Sequence, residues 1–231
     1  MIDGLNASRS CALRELGVRA SETNTGYAGA FSWSSENVES QFQSVALAKS
    51  YLLLNHGPVT LVTSASGGRS NVMAASWAMP LDFDPPKVLL VIDRHTLTRE
   101  LVEASGEFAL NLPGRAIADQ VLAAGSVSGR DGDKFARTGL THFSATKIAA
   151  PLVRGCVAWL ECRVIPNSAN QLGHDLFIAQ VLAAWADPQV FSEDRWHFPD
   201  AGRTTIHYQA GGSFFSTGES FACQDAESHQ K

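Results

Sequence analysis

Arg94, Thr96 and Thr98 fall on alternate positions of one short stretch, Arg94-His95-Thr96-Leu97-Thr98. A cation and hydroxyls this close together can hold an anion, and a hydroxyl at a helix start adds free backbone N–H groups. A plain helix N-cap is the ordinary alternative for Thr98. A second stretch, Ser128-Gly129-Arg130-Asp131-Gly132-Asp133-Lys134-Phe135, offers another hydroxyl with the cations of Arg130 and Lys134. A guanidinium or ammonium beside an anion makes charge-assisted bonds about twice as strong as neutral ones. Charges on an exposed loop are the bland reading of both residues. The stretch Asn71-Val72-Met73-Ala74-Ala75-Ser76-Trp77 is different in kind. The small side chains of Ala74, Ala75 and Ser76 would let a flat ring come close to a strand backbone. Trp77 would either wall such a slot or serve as an ordinary core tryptophan.

Other chemistries lack their residues. No G-x-G-x-x-G follows a strand, which argues against a Rossmann dinucleotide site. In Gly125-Ser126-Val127-Ser128-Gly129 the serines fall one place off the nucleophile-elbow pattern, and no expected strand precedes them. The seven histidines include no H-x-x-x-H pair, so no metal site is expected. The formal net charge of −5, with no long run of either sign, leaves no electrostatic footprint for nucleic acid. Cys11, Cys156, Cys162 and Cys223 contain no C-x-x-C pair, which predicts free thiols in a reducing compartment. Residues 1–20 are interrupted by Asp3, Arg9, Arg14, Glu15 and Arg19, and no export signal is expected. The longest apolar runs, such as Ile178–Ala186, are about half of what crosses a bilayer. A cytoplasmic protein with no membrane partner is the expectation.

The elements that must position these residues are legible in outline. Residues 1–44 are rich in Ser, Asn, Gly and Glu without sustained periodicity and read as an N-terminal extension. Residues 221–231 read as a C-terminal tail, which leaves one domain over 45–220. At 45% hydrophobic residues that domain can bury a substantial core. Pro58–Ser64 and Asn71–Met79 flank Gly67-Gly68 as a hairpin. The continuous apolar run of Lys87–Asp93 predicts a central strand buried on both faces. A helix of about two turns should start at a Thr cap near Thr98 and stop at Gly106, followed by a strand over Glu107–Leu112. Ile117, Val121 and Leu122 have helical spacing, and Asp133–Arg137 is a short helical candidate. Cys156–Ile165 and Asp175–Trp185 read as a second hairpin joined by a turn at 166–170, with a last strand near Ile206–Tyr208. Cys156 and Cys162, six apart on one strand, should share a face as buried structural thiols. Six or more mostly antiparallel strands with short helices favour a closed or nearly closed barrel, which removes exposed edges.

Taken with Asp84-Pro85-Pro86 between them, the three stretches resemble, in order and spacing, the flavoredoxin branch of the flavin reductase-like FMN-binding family. The resemblance covers roughly residues 45–218, including Gly211-Gly212-Ser213-Phe214-Phe215 and Thr217-Gly218-Glu219. It implies a mainly β protein with short helices, the FMN-binding split β-barrel of Greek-key type. It further implies a homodimer holding FMN noncovalently near the subunit interface. Asn71, Met73, Ala74, Ala75, Ser76 and Trp77 would then meet the flavin ring. Arg94, Thr96, Thr98, Ser128, Arg130 and Lys134 would meet its phosphate tail. Some relatives carry cysteines before the S-G-R-D stretch, where this chain has Ala123-Ala124-Gly125-Ser126-Val127, so no thiol role is expected there.

The resemblance implies an NAD(P)H-dependent flavin reductase passing hydride from a transient nicotinamide to FMN, with no catalytic acid or base required. Its reduced flavin would serve a redox partner protein or a flavin-dependent oxygenase. The alternative is a flavoredoxin-like electron carrier, with tightly bound FMN reduced by a protein partner. A pyridoxamine-phosphate-oxidase-like barrel would share the architecture, but no substrate-phosphate motif supports that activity.

Overall fold

A computed structural model describes residues 42–53 and 57–221 of the chain. The extension expected over 1–44 therefore lies outside the described residues except at its C-terminal end. The tail expected over 221–231 does so except for Phe221.

The described chain starts in β1 (Gln43–Ser44) and makes two hairpins, β2 (Thr60–Ser66) with β3 (Arg69–Ala75) and β4 (Ala78–Phe83) with β5 (Pro86–Val91). Helix α1 (Leu97–Ser105) leads into β6 (Glu107–Pro113), then helix α2 (Ala118–Ser126) and helix α3 (Lys134–Thr138). A short pair, β7 (His142–Phe143) and β8 (Leu152–Val153), precedes the long antiparallel pair of β9 (Cys156–Ile165) and β10 (Leu176–Ala186). Helix α4 (Ser168–His174) joins those two strands. Two small hairpins follow: β11 (Phe191–Ser192) with β12 (Arg195–Trp196), and β13 (Ile206–Ala210) with β14 (Ser213–Ser216).

The main sheet runs β3-β2-β6-β9-β10-β5-β4 with every pair antiparallel. Its two outer strands, β3 and β4, are consecutive in the chain with only Ser76 and Trp77 between them. The twisted sheet must therefore curl until its edges come together at that dipeptide. The result is the split β-barrel expected from sequence. β1 lies beside the C-terminal end of β10, pairing Gln43 with Ala186 and Ser44 with Trp185. Gln43 and Ser44 fall within the stretch 1–44 read from composition as an extension.

Period-two alternation divides the core into two faces. Phe108, Leu110 and Leu112 of β6 and Ala158, Leu160 and Cys162 of β9 share one apolar cluster with Leu90, Phe177 and Ala179. Ala109, Trp159 and Cys156 point the other way, into a cluster with Val121, Ala124 and Phe135 from α2 and α3. Each fully buried Leu or Phe contributes about 1.5–3 kcal/mol relative to exposure, so the two faces together make the barrel and its helical cover one folding unit.

Cys156 and Cys162 thus lie on opposite faces, against the expectation that six residues on one strand preserve the side. The register between β6 and β9 slips between Leu112–Ala158 and Pro113–Cys156, leaving Val157 as an extra residue. A β-bulge of this kind inverts the alternation beyond it. Both thiols are buried, and burial pushes each well above the ordinary cysteine range.

Three further expectations change. β5 is second from the edge, not central, and only alternate residues of it are buried. Residues 168–174 form α4, capped by Asn167, where a simple turn was expected. α1 is capped by Thr96, whose hydroxyl accepts from Arg99 N–H at 3.2 Å, so Thr98 belongs to the first turn. Its expected stop holds: Gly106 adopts φ 72° and donates its N–H to Val102.

Candidate functional site

A groove of about 880 Å³ runs along β3, between the start of α1 and the α2–α3 connection. Ten of the twelve residues expected at a cofactor line it: Asn71, Met73, Ala74, Ala75, Ser76 and Trp77 from the β3 side, Thr96 and Thr98 from α1, and Ser128 and Lys134 from the connection. Residues from three separate stretches of sequence are thus brought to one cavity. Trp77 is 72% exposed, which removes its reading as a core tryptophan.

At the floor, Asn71 Nδ2 donates to Thr98 Oγ1 at 2.8 Å, with both residues buried. The Thr98 hydroxyl accepts this bond and donates none among the described residues, so its proton has no partner among them. Gly129 lies directly against Asn71 and Leu97. A Cβ there would collide with Asn71 Oδ1 and come within 2.9 Å of Leu97 Cδ2, so only glycine lets the loop pass so close. Gly125 does the same work more gently against β3, where an added Cβ would sit 3.4 Å from Ala74 Cβ.

Lys134 stands at the first position of α3, which Asp133 caps by accepting from Phe135 N–H at 2.9 Å. Its side chain is 5% exposed and makes no ion pair among the described residues. Burial, reinforced by the charge of Arg137, lowers the ammonium to about 8. A buried cation without a counter-ion is costly, and the cost falls when an anion arrives.

Arg94 and Arg130 do not line the groove. Arg94 pairs with Asp175 at 3.1 Å and donates to Leu172 O at the same distance, and Arg130 pairs with Glu100 at 2.9 Å. Both side chains are about half exposed, and acidic partners remote in sequence draw them aside. Behind the same end of the groove, without lining it, lies Arg99, which sequence reasoning did not single out. It is buried, donates to Ile92 O, Gln171 O and Asp175 Oδ1, and lies over the Phe177 ring at 4.6 Å. Arg99 thereby fixes α1 against the His174-Asp175 corner, where both residues line the groove and Asp175 has φ 54°. Desolvation would raise the Asp175 carboxyl, but the Arg94 hydrogen bond and the charges of Arg94 and Arg99 hold it below its ordinary value. Tyr208 and Gln209 of β13 also line the groove. No local pattern singled them out, since only the fold brings β13 there.

Residues 53–211 match the family described as flavin reductase like domain. The chain belongs to that family. This flavin reductase-like chain is 46% identical to a solved FMN-binding domain of a flavin reductases-like enzyme from Shewanella baltica. That alignment has a TM-score of 0.77 and covers 79% of this chain and 97% of the other. It is 25% identical to a flavoredoxin of Desulfovibrio vulgaris, with a TM-score of 0.64 over 74% of this chain and 92% of that one. Among curated proteins, YddH of Escherichia coli K12 is 42% identical over 183 residues, 78% of this chain and 97% of the other. The three stretches that carry the resemblance in sequence all lie within the matched region.

Proposed function

We propose that the groove holds FMN noncovalently and that the chain is an NAD(P)H-dependent, flavin reductase-type oxidoreductase. One observation carries this reading: Lys134, a buried residue with no ion pair among the described residues, stands with the Thr98 hydroxyl in the same groove as the small side chains of Ala74, Ala75 and Ser76. That combination suits a ligand with an anionic tail and a flat ring. The FMN-binding Shewanella baltica domain, at 46% identity, supports the choice of ligand.

When bound, FMN would supply the hydride and electron chemistry, with NAD(P)H as the transient donor. Lys134 would balance the phosphate charge. Thr98, oriented by Asn71, would donate a hydrogen bond to a phosphate oxygen, with Ser128 and Thr96 completing the polar end. The backbone beside Ala74–Ser76 would accept close approach of the ring, and Trp77 would wall the slot. No side chain need act as acid or base, so the protein's part is to orient the rings and exclude competing reactions.

The purified protein should show flavin absorption near ~450 nm and should oxidise NADH or NADPH with excess FMN, the wavelength being a general property of oxidised flavins. A flavin spectrum without NAD(P)H oxidation would favour the second reading, a flavoredoxin-like carrier reduced by a protein partner, which the flavoredoxin likeness supports. Loss of both signals would refute the flavin reading itself.

A homodimer belongs to the same proposal. Trp77, just before β4, and Met79, Leu81 and Phe83 within it are exposed, making an apolar stripe along an outer strand whose pairing with β5 slips at Leu81. Trp77 belongs to this stripe and to the groove, so a second copy covering the stripe would also complete the slot. The reduced flavin would then pass electrons to a partner protein or a flavin-dependent oxygenase.

A further inference from the structure

Beside the groove lies a second cavity of about 200 Å³. Val121 and Leu122 of α2 and Phe214 of β14 wall it, while Ala74, Ser76, Gly125 and Tyr208 line both cavities, so the two adjoin. Tyr208 and Phe214 meet edge to face, with ring centroids 5.4 Å apart. The β13–β14 hairpin reaches over α2 at Gly212, where an added Cβ would lie 3.4 Å from Leu122 Cδ2.

The lining contains no Lys, Arg, His, Asp or Glu. Its polar side chains besides the Tyr208 phenol are two serines. Ser126 already donates to Leu122 O at 2.8 Å, whereas the Ser76 hydroxyl has no side-chain bond among the described residues. An apolar cavity of about 150 Å³ is large enough for benzene. This one therefore takes a single ring with a small substituent and is too small for a second flavin. The cavity opens to solvent past Ser76, Gly125, Ser126 and Tyr208, so a charged ligand would shed only part of its water, but with no counter-ion in the lining a carboxylate is disfavoured against a neutral ring. Edge-on aromatic walls favour a flat ring, because the positive edge of one ring meets the negative face of another.

We propose that this second cavity binds an uncharged, single-ring aromatic molecule and holds it against the ligand of the main groove. The placement beside a flavin rests on the proposed function; the cavity's preference for a neutral ring does not.

Phenol, benzoate and 2-naphthol serve as probes, titrated by calorimetry into the full-length protein with its visible spectrum recorded in the same samples. Phenol should bind saturably, and benzoate at least tenfold more weakly. Leu122→Trp, from a half-buried position outside the groove, should weaken phenol at least tenfold and leave FMN affinity unchanged. Phe214→Ala should enlarge the cavity and strengthen 2-naphthol at least tenfold, which tests the site even if the tryptophan variant fails to fold. Equal binding of phenol and benzoate would overturn the proposal, as would phenol binding indifferent to both substitutions. Tenfold weakening of phenol by NADH would assign the cavity to the nicotinamide ring and overturn it too. If phenol behaves as expected but no FMN binds, the cavity stands and the flavin reading fails.

Discussion

The Asn71 side-chain amide donates to the Thr98 hydroxyl at 2.8 Å across two buried positions, tying β3 to the first turn of α1. Asn71→Leu should remove the bond and leave a buried hydroxyl unsatisfied, costing about 1–3 kcal/mol. Chemical denaturation of the flavin-free protein measures that loss. FMN affinity should fall as well, because the Thr98 hydroxyl would lose the partner that orients it. Unchanged FMN affinity in a folded Asn71→Leu protein would show that Thr98 does not contact the ligand.

Lys134→Ala and Thr98→Ala should each weaken FMN while leaving riboflavin, which lacks the phosphate, nearly unaffected. A charge-assisted contact of about 1.5–3 kcal/mol corresponds to roughly ten- to more than a hundredfold for lysine, and the neutral hydroxyl should cost about 1 kcal/mol. The lysine effect should shrink with added salt and the threonine effect should not. Titration of both ligands decides the point: equal losses for FMN and riboflavin would mean that the two residues support the fold alone.

FMN affinity should be greatest between about pH 6 and 8. A phosphate monoester gains its second charge near ~6, and the free Lys134 ammonium loses its proton near about 8. Above that value binding must also recover a proton, so affinity declines. Lys134→Met should abolish the alkaline decline and leave the acidic one.

Stability of the flavin-free protein should show the opposite trend. Folding lowers Lys134 from 10.5 to about 8, so between those values the unfolded chain binds more protons and stability rises with pH. The sign follows from the cost of burying the charged form, which is present below about 8 and gone above 10.5. Lys134→Met should stabilise the flavin-free protein at pH 7 by about 1–3 kcal/mol and flatten this rise. Urea denaturation across the pH range checks both; lower stability at pH 7 in the methionine variant would contradict the argument.

Sedimentation at micromolar concentration should show a dimer, and Leu81→Glu should shift it toward monomer by placing a charge within the β4 stripe. The variant should also hold FMN less tightly, since Trp77 lies on both the stripe and the groove. A monomeric parent protein that retains FMN would rule out the second copy as part of the site.

Sequence alone determined the longer strands and the chemistry of the site's ingredients, whereas β4, read as the end of the Asn71–Met79 run, and the two-residue pairs were not legible. β-Branched and apolar runs bounded by turn residues marked β2, β3, β9 and β10 because such composition is a local property, and Gly106 marked the end of α1 because few other residues tolerate φ 72°. Asn71–Trp77, Thr96–Thr98 and Ser128–Lys134 were recognisable for the same reason: their order and spacing are carried by the chain itself.

Tertiary structure decided which of those residues meet. Arg94 and Arg130 looked equivalent to Lys134 until folding supplied Asp175, 81 residues from Arg94, and Glu100 as partners for two of the cations and, among the described residues, none for the third. Sequence put the cap at Thr98, but the folded chain caps α1 at Thr96, and Asn71 of β3 takes the Thr98 hydroxyl as its partner. Cys156 and Cys162 parted because β9 slips against Pro113, a residue with no N–H to continue the ladder. Tyr208 and Phe214 reached the site only when the closed barrel brought β13 and β14 beside α2. Each of these outcomes depends on a long-range pairing, and such pairings leave no periodicity in the sequence around the residues they bring together.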